Sequence, residues 1–395
     1  MNHVNSRSLT CRPHGGKDRL FDRGVITWGA ACRRLGGLAL PVATSMLLVA
    51  CGEPGVDSSS TPASADAAGP AALIVCDRQC LLDAADAYLA ALVAHDPSLA
   101  PLASEVVFVE NLVRKQPGEG LWQTAVDGPT AFSLLVPDED RQSLGFLGML
   151  TRLAPPQAPQ GASAEQLAAA AAQPPVEQPV LAAFRLQFDE SGHIVEAEHL
   201  LTPVREAQLV NLQTLRPGLL TEIPMEQRLP HQRLLDIGMS YYPALDDNDS
   251  DLTFFAPDCE RHENGMITAS AASAPEVPAI PGTAATPRVA RDCYAQIESG
   301  TFQYIARIDN RRVFAADPVT GLVMGLSHFR HPMDNLPYLV TNTDGTQSER
   351  TAANFSFAPF DLPAAHVYKV GGDGLIHEIE AMGFTTTYNS PTGWE

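Results

Sequence analysis

The chain says one thing twice. Aligned without a gap, Leu81–Asn111 meets Leu234–Asn264, so that Leu81-Leu82-Asp83 falls on Leu234-Leu235-Asp236 and Tyr88 on Tyr241. Ala91-Leu92 falls on Ala244-Leu245, and Glu110-Asn111 on Glu263-Asn264. The echo continues where Gly120-Leu121-Trp122-Gln123 faces Gly300-Thr301-Phe302-Gln303 and where Ala183–Leu201 faces Ala365–Gly383. Internal repetition constrains a fold more tightly than composition does. One structural unit is expected twice, over residues 73–205 and 225–390.

Each unit has the same grammar. Apolar residues at helical spacing over Cys80–Val93 predict a helix, ended by His95-Asp96-Pro97 because proline does not continue one. Glu105–Asn111 alternates as a strand, and a glycine-bounded helical segment surrounds Trp122. Two hairpins follow, Ala131–Val136 with Ser143–Leu153 and Val180–Phe188 with His193–Leu201, around turns rich in Asp, Glu and Gly. In the second unit Asp317–Gly321 and Gly371–Gly374 are the matching turns. The Pro- and Ala-rich stretches Ala154–Pro179, Ala269–Ala290 and Pro332–Pro363 are expected to be surface loops.

The N-terminus reads as an address. Arg33-Arg34 precedes the apolar run LGGLALPVATSMLLVA and then Cys51-Gly52, the order of a secretory signal. The run is shorter than the about 20 residues a membrane span needs. Leu48-Val49-Ala50-Cys51 matches the lipobox of bacterial lipoproteins, so residues 1–51 are expected to be an export signal and Cys51 the lipidated N-terminus. Residues 1–32 are patternless, either a translated extension or sequence upstream of the true start. Residues 52–72 read as a disordered tether. Gly52 directs the protein to the periplasmic face of the outer membrane, attached through lipid alone.

Formal net charge is −20, and the first 51 residues hold seven Lys or Arg but only two Asp or Glu. The remainder therefore carries about −25, which repels phosphate backbones and excludes nucleic acid as a partner. Beyond Cys11, Cys32 and Cys51, four cysteines remain, which an oxidising compartment turns into disulfides. Four cysteines allow three pairings, and proximity favours Cys76–Cys80 and Cys259–Cys293. The sequence has no metal-ligand spacing, no dinucleotide fingerprint, no P-loop and no nucleophile elbow, so no metal or cofactor is expected.

The stretches YLAALVAHDPSLAPLASEVVFVEN, GEGLW, RVFAADPVTGLVMGLSHFRHP, PFDLPAA and GLIHEIEAMGF resemble the nuclear-transport-factor-2-like superfamily. The likeness is to an uncharacterised secreted branch with SnoaL-like members and covers most of residues 76–388. It implies an α+β fold of two cystatin-like cones, each with helices packed on a bent antiparallel sheet. Cones of this fold commonly pair, so an internal pseudo-dimer of the two units is implied. The superfamily includes ketosteroid isomerase, scytalone dehydratase, limonene-epoxide hydrolase and many non-enzymes, so fold alone does not settle function.

Within such a cone the apolar pocket is the expected ligand site. Alternation puts Val106, Phe108 and Glu110 on one strand face, which makes Glu110 and its echo Glu263 candidates; the alternative is a strand-ending Glu-Asn that binds a turn. Tyr88 and Tyr241 lie mid-helix, with the duplicated glutamates as candidate partners for their hydroxyls. Trp122 and Phe302 are candidate pocket walls. Histidines concentrate in the second unit, at His262, His328, His331, His366 and His377, and any of them is able to titrate near neutrality. Chemistry is therefore expected in the second unit, with Glu263, His262 and Tyr241 as catalytic candidates. Glu110, Tyr88, Trp122, Phe302 and His328 are the ligand-binding candidates. Three readings follow: a lipid-anchored module binding a small apolar molecule; a lyase, isomerase or epoxide hydrolase; or a protein-interaction module.

Overall fold

Two sheets of the same strand order dominate the chain. The computed structural model describes residues 76–395 apart from 160, 271–289, 344 and 356, all within one compact unit, 68–395. The expected signal, Cys51, the tether 52–72 and most of the stretch Ala269–Ala290 lie outside the described residues. Among the described residues no helix is long and apolar enough to cross a membrane.

The first half opens with helix α1 (Arg78–Val93), whose N-cap Asp77 accepts from the Cys80 N–H. Its buried stripe of Leu81, Ala85, Tyr88, Leu89 and Leu92 follows the helical period. The helix stops where His95 turns to φ 58° and Asp96 caps a short 3₁₀ turn at Pro97–Leu99. Then come β1 (Leu102–Glu110), β2 (Val113–Lys115), α2 (Leu121–Thr124), β3 (Ala125–Asp127), β4 (Ser133–Asp138) and β5 (Ser143–Ala154). Helix α3 (Ala164–Ala171), β6 (Val176–Phe188) and β7 (Ile194–Pro203) complete this half. A connector holds α4 (Glu206–Leu209) and α5 (Pro217–Leu220).

The second half repeats the plan. It has α6 (His231–Asp247), β8 (Phe255–Glu263), β9 (Met266–Ala269), α7 (Cys293–Glu298), β10 (Arg307–Asp317) and β11 (Leu322–His331). The added hairpin β12 (Tyr338–Thr341) and β13 (Gln347–Arg350) precedes β14 (Phe360–Val370), β15 (Ile376–Gly383) and β16 (Thr386–Thr387). The sheet orders are β2-β1-β7-β6-β5-β3, with β4 also on β5, and β9-β8-β15-β14-β11-β10, with β16 on β14. The α+β class expected from the sequence holds. The sheets are mixed rather than purely antiparallel, because β1 runs parallel to β7 and β8 parallel to β15. Cys76 is bonded to Cys80 and Cys259 to Cys293, the pairing that proximity favoured.

Two of the Pro/Ala-rich stretches are more ordered than expected. Ala154–Pro179 contributes α3, held by a Ser163–Gln166 capping box, and the first turns of β6. Pro332–Pro363 contributes the β12–β13 hairpin, whose Tyr338 and Val340 are buried. Alternation over only four residues inside polar sequence is too short to read in advance.

Among the described residues, three apolar clusters hold the structure together. One lies between α1 and the first sheet, around Tyr88, Trp122, Phe146 and Phe184. A second lies between α6 and the second sheet, around Tyr241, Tyr242, Phe329 and Tyr368. The third is shared by the two sheets, with Leu134, Leu147 and Leu181 of the first meeting Phe314, Met324 and Val367 of the second. Ions flank this shared core in a reciprocal pattern. Asp138, ending β4, contacts His231 at the start of α6 (2.7 Å), and Asp317, ending β10, contacts Arg78 at the start of α1 (2.9 Å). In the gapless alignment Arg78 and His231 are the same position, so each half gives the other the same kind of contact. A bidentate Arg312–Glu198 pair adds to these.

Candidate functional site

The duplicated Glu-Asn divides its labour. Asn111 and Asn264 both adopt the left-handed region, φ 45° and 48°, which asparagine tolerates better than most residues. The Asn111 side chain donates to the Leu201 carbonyl (3.1 Å) and accepts from the Leu201 N–H (2.7 Å). Asn264 makes the same two bonds with Gly383, at 3.0 Å each. Each asparagine thus turns the chain out of its strand while clamping the parallel neighbour in register. The strand-ending role holds for the asparagines; the glutamates do something else.

In the first half Glu110 is buried and enclosed by partners. Its oxygens accept from Lys115 Nζ (2.8 Å) and from the Leu121 N–H (2.8 Å), and Oε2 lies 3.5 Å from His199 Nδ1, a contact too long to be a hydrogen bond. His199 Nε2 meets the Tyr88 hydroxyl at 2.8 Å. Tyr88 therefore reaches His199, not Glu110, and the imidazole stands between the two without a hydrogen bond to the carboxylate. The ring of His199 is fully buried and stacked on Phe184 with centroids 3.8 Å apart, while Trp122 packs edge-on against Tyr88. Burial alone would raise the Glu110 carboxyl, but His199, Lys115 and the Leu121 N–H outweigh it and hold it at about 2. Burial lowers His199 in spite of Glu110, and burial pushes the Tyr88 hydroxyl well up. Glu110 and Tyr88 belong to a buried polar network in this core, and Trp122 packs on it with its Nε1 unpaired.

The second half uses different residues at the same places. Tyr241 accepts from Arg261 Nε (2.9 Å); Arg261 Nη2 donates to Glu263 (2.8 Å) and Nη1 to Thr268 (2.8 Å). Arg261 thus bridges Tyr241 and Glu263, in the place where His199 stands between Tyr88 and Glu110 in the first half. His262 and Glu263, both catalytic candidates, do not come together. Neighbours on a strand point to opposite faces, so His262 turns away to Glu260 (2.7 Å) and Glu380 (3.7 Å), beside Arg216 of the connector. The same alternation removes His328 from the site: its Nε2 meets Ser390 (3.0 Å) beside the Arg330–Asp361 ion pair. Phe329 and His331, on the other face of β11, are the residues that arrive.

They arrive at a cleft. A cavity of about 30 Å³ lies in the second half, lined by Arg261 and Glu263 and by Phe302, Phe329, His331 and His366 among others. Ala381 and Tyr304 also line it. That volume holds about one water molecule with the side chains as placed. His331 is stacked between Tyr304 and Phe360, at 5.0 and 4.2 Å between centroids. Burial lowers His331 to about 4, and burial together with the Arg261 charge lowers His366 to about 3, so both rings are neutral at pH 7. Nδ1 of each is buried without a hydrogen-bond partner. Arg261 and His199 were not among the expected site residues. Arg261 stands two residues before Glu263, on its own strand face, and that spacing was the available signal; His199 has no counterpart in the repeat, where Ala381 stands. Among the described residues no cluster of His, Cys, Asp and Glu is arranged to hold a metal ion.

Residues 227–383 match the family model described as Domain of unknown function (DUF8021). The match covers the second half and its cleft. Among solved structures, the chain is similar to one described as a SnoaL-like polyketide cyclase from Shewanella denitrificans OS-217, at 14% identity over 32% of this chain and 92% of that one, with a TM-score of 0.24. No curated protein matches the chain.

Proposed function

We propose that this chain is a binding protein for a small, largely apolar molecule, and that its working pocket is the cleft of the second cone. The observation that carries this reading is the cleft's make-up: aromatic walls, two buried imidazole nitrogens without partners, and a charged side already neutralised by its own Arg261–Glu263 pair. A concave cleft with aromatic walls and a few fixed polar groups is the usual kind of place for a small ligand. The first cone, closed around Glu110 and His199, acts as the supporting half. The two halves are read as copies of one unit, 73–205 and 225–390, packed as an internal pseudo-dimer, which the reciprocal Asp138–His231 and Asp317–Arg78 contacts support. Lipid on Cys51 would hold this body at the cell envelope, and the two disulfides suit an exported protein.

Mass spectrometry of compounds that co-purify with the folded protein tests the pocket. Ala364→Phe, which fills the cleft wall, is expected to abolish the bound species. Equal recovery from both proteins would place binding elsewhere. Cys51→Ser is expected to release the protein from membranes; unchanged membrane attachment would remove the lipid anchor from this reading. A catalytic reading has lost its acid/base pair, since His262 and Glu263 face opposite sides of the sheet.

A further inference from the structure

The connector between the halves is held down by an unbalanced set of charges. Arg216, just before α5, reaches three carboxylates: Glu380 Oε1 (3.0 Å), Glu378 Oε2 (3.2 Å) and Glu260 Oε1 (3.4 Å). Its guanidinium also donates to the carbonyls of Ile379 (3.1 Å) and Glu260 (3.3 Å). His262 stands between Glu260 and Glu380, and the Ser270 hydroxyl donates to Glu260 (2.7 Å). Lys369, in register with Glu378 on β14, gives its ammonium to the carbonyls of Thr221 and Thr320. Asp317 acts on Lys369 from the far side and is itself paired with Arg78. The first half balances the equivalent positions. Glu196 and Glu198 stand where Glu378 and Glu380 do, and each has its own arginine, Arg185 and Arg312, both at 2.7 Å. Val107 stands where Glu260 does. The second half thus sets three carboxylates on one guanidinium.

We propose that this cluster makes the connector a pH-dependent clasp, seated tightly on the second sheet in mild acid and loosened as the pH rises toward 8. The seat is close-packed. Gly218 lies so near Glu378 that a side chain there would overlap its carboxylate, and Leu212, Leu215 and Leu219 enter the shared core. Charge decides how firmly the seat holds. Contact with His262, and with Ser270 and Arg216, keeps the Glu260 carboxyl at about 2, so it is ionised throughout. Burial pushes the Glu378 and Glu380 carboxyls above the ordinary 4.5 in spite of Arg216. A raised carboxyl favours the folded arrangement while protonated, and that contribution fades as the pH rises through its folded value. Loss of a proton from His262 acts in the same direction, since it takes a positive charge from between two glutamates. Rising pH therefore adds carboxylate repulsion that Arg216 has to offset alone. Loosening uncovers Leu212, Leu215 and Leu219 on a connector whose Val210, Leu220 and Met225 are already exposed.

Amide hydrogen exchange of the full chain at pH 5.5 and pH 8.0 tests this, read as protection factors so that the direct effect of pH on exchange cancels. The Leu219 and Ile223 N–H groups, which donate to the Arg216 and Val319 carbonyls, report on the connector. Strand β5 reports on the fold as a whole. In wild type the connector's protection is expected to fall about tenfold between the two pH values, the effect of one pKa unit of differential interaction, while β5 changes by less than about twofold. Glu378→Gln takes one titrating charge out of the cluster and should hold the connector's fall below about threefold, the remainder coming from Glu380 and His262. Glu380→Gln makes the same test if the first variant does not fold. Connector protection that is equal or higher at pH 8.0 in wild type overturns the clasp. An equal fall in β5 overturns it too, because the loss is then global, and so does a tenfold fall that persists in both glutamine variants.

Discussion

Replacing Glu110 with glutamine isolates one charge inside a closed network. The amide keeps the shape and an oxygen for the Leu121 N–H, but Lys115 and His199 lose a carboxylate. The carboxyl falls from 4.5 to about 2 in the folded protein. By linkage this corresponds to about 3 kcal/mol of stability at pH 7, an upper figure because the Lys115 side chain is partly in water. The folded pKa is depressed, so below pH 4.5 the unfolded chain binds a proton that the folded chain refuses. The contribution is whole above pH 4.5, falls to less than half by about pH 3, and is lost through pH 2. Urea unfolding of wild type and Glu110→Gln at steps between pH 7 and pH 3 measures the gap directly. A gap of about 2–3 kcal/mol that narrows toward acid is the expected result. A gap that stays constant with pH would show that the loss is one of packing and would refute the electrostatic argument.

Three further outcomes follow from the same geometry. Asn264→Gly keeps the left-handed turn but loses the Gly383 clamp, and Asn264→Ala loses both, so chemical denaturation should find the alanine variant about 1 kcal/mol worse; equal losses would mean that backbone strain is unimportant there. Asp138→Ala removes the acceptor of the Ala316 N–H and of His231 inside the shared core, and is expected to cost about 2–3 kcal/mol, read as a lower melting temperature; a neutral outcome would mean water replaces the carboxylate. His331 and His366 have folded pKa values near 4 and 3, below the ordinary 6.5, so stability should decline as pH drops from 6.5 toward 4. His366→Phe should flatten that decline, and an unchanged slope would locate the acid sensitivity elsewhere.

Much of the fold was legible because periodicity and punctuation agree. Leu81, Tyr88 and Leu92 announce the first helix, His95-Asp96-Pro97 ends it, and Asp189–Gly192 turns a hairpin. The parallel pairing of β1 with β7 was not legible, since the partners are about 90 residues apart and alternation does not encode direction. The site was legible in part. Glu110 does face inward with Phe108, and Tyr88 does need a hydroxyl partner, but that partner is His199, on a distant strand. His262 looked attractive beside Glu263, although strand geometry alone turns the two apart. Arg261 obeys that geometry and was hidden only because an arginine is an unusual residue to bury.

Carrying both faces of a sheet-to-sheet contact on one chain changes how that contact is able to evolve. Between identical subunits, one substitution alters both halves of an interface at once. Here each half is able to change alone. Glu198 reaches across to Arg312, while Glu380, at the same register, has been taken up by Arg216 of the connector. Under the binding reading proposed above, the same independence would let the half that holds His199 act as support while the half with Ala381 at that register carries the pocket. On that reading, a single gene would keep the residues that give durability apart from those that meet a ligand.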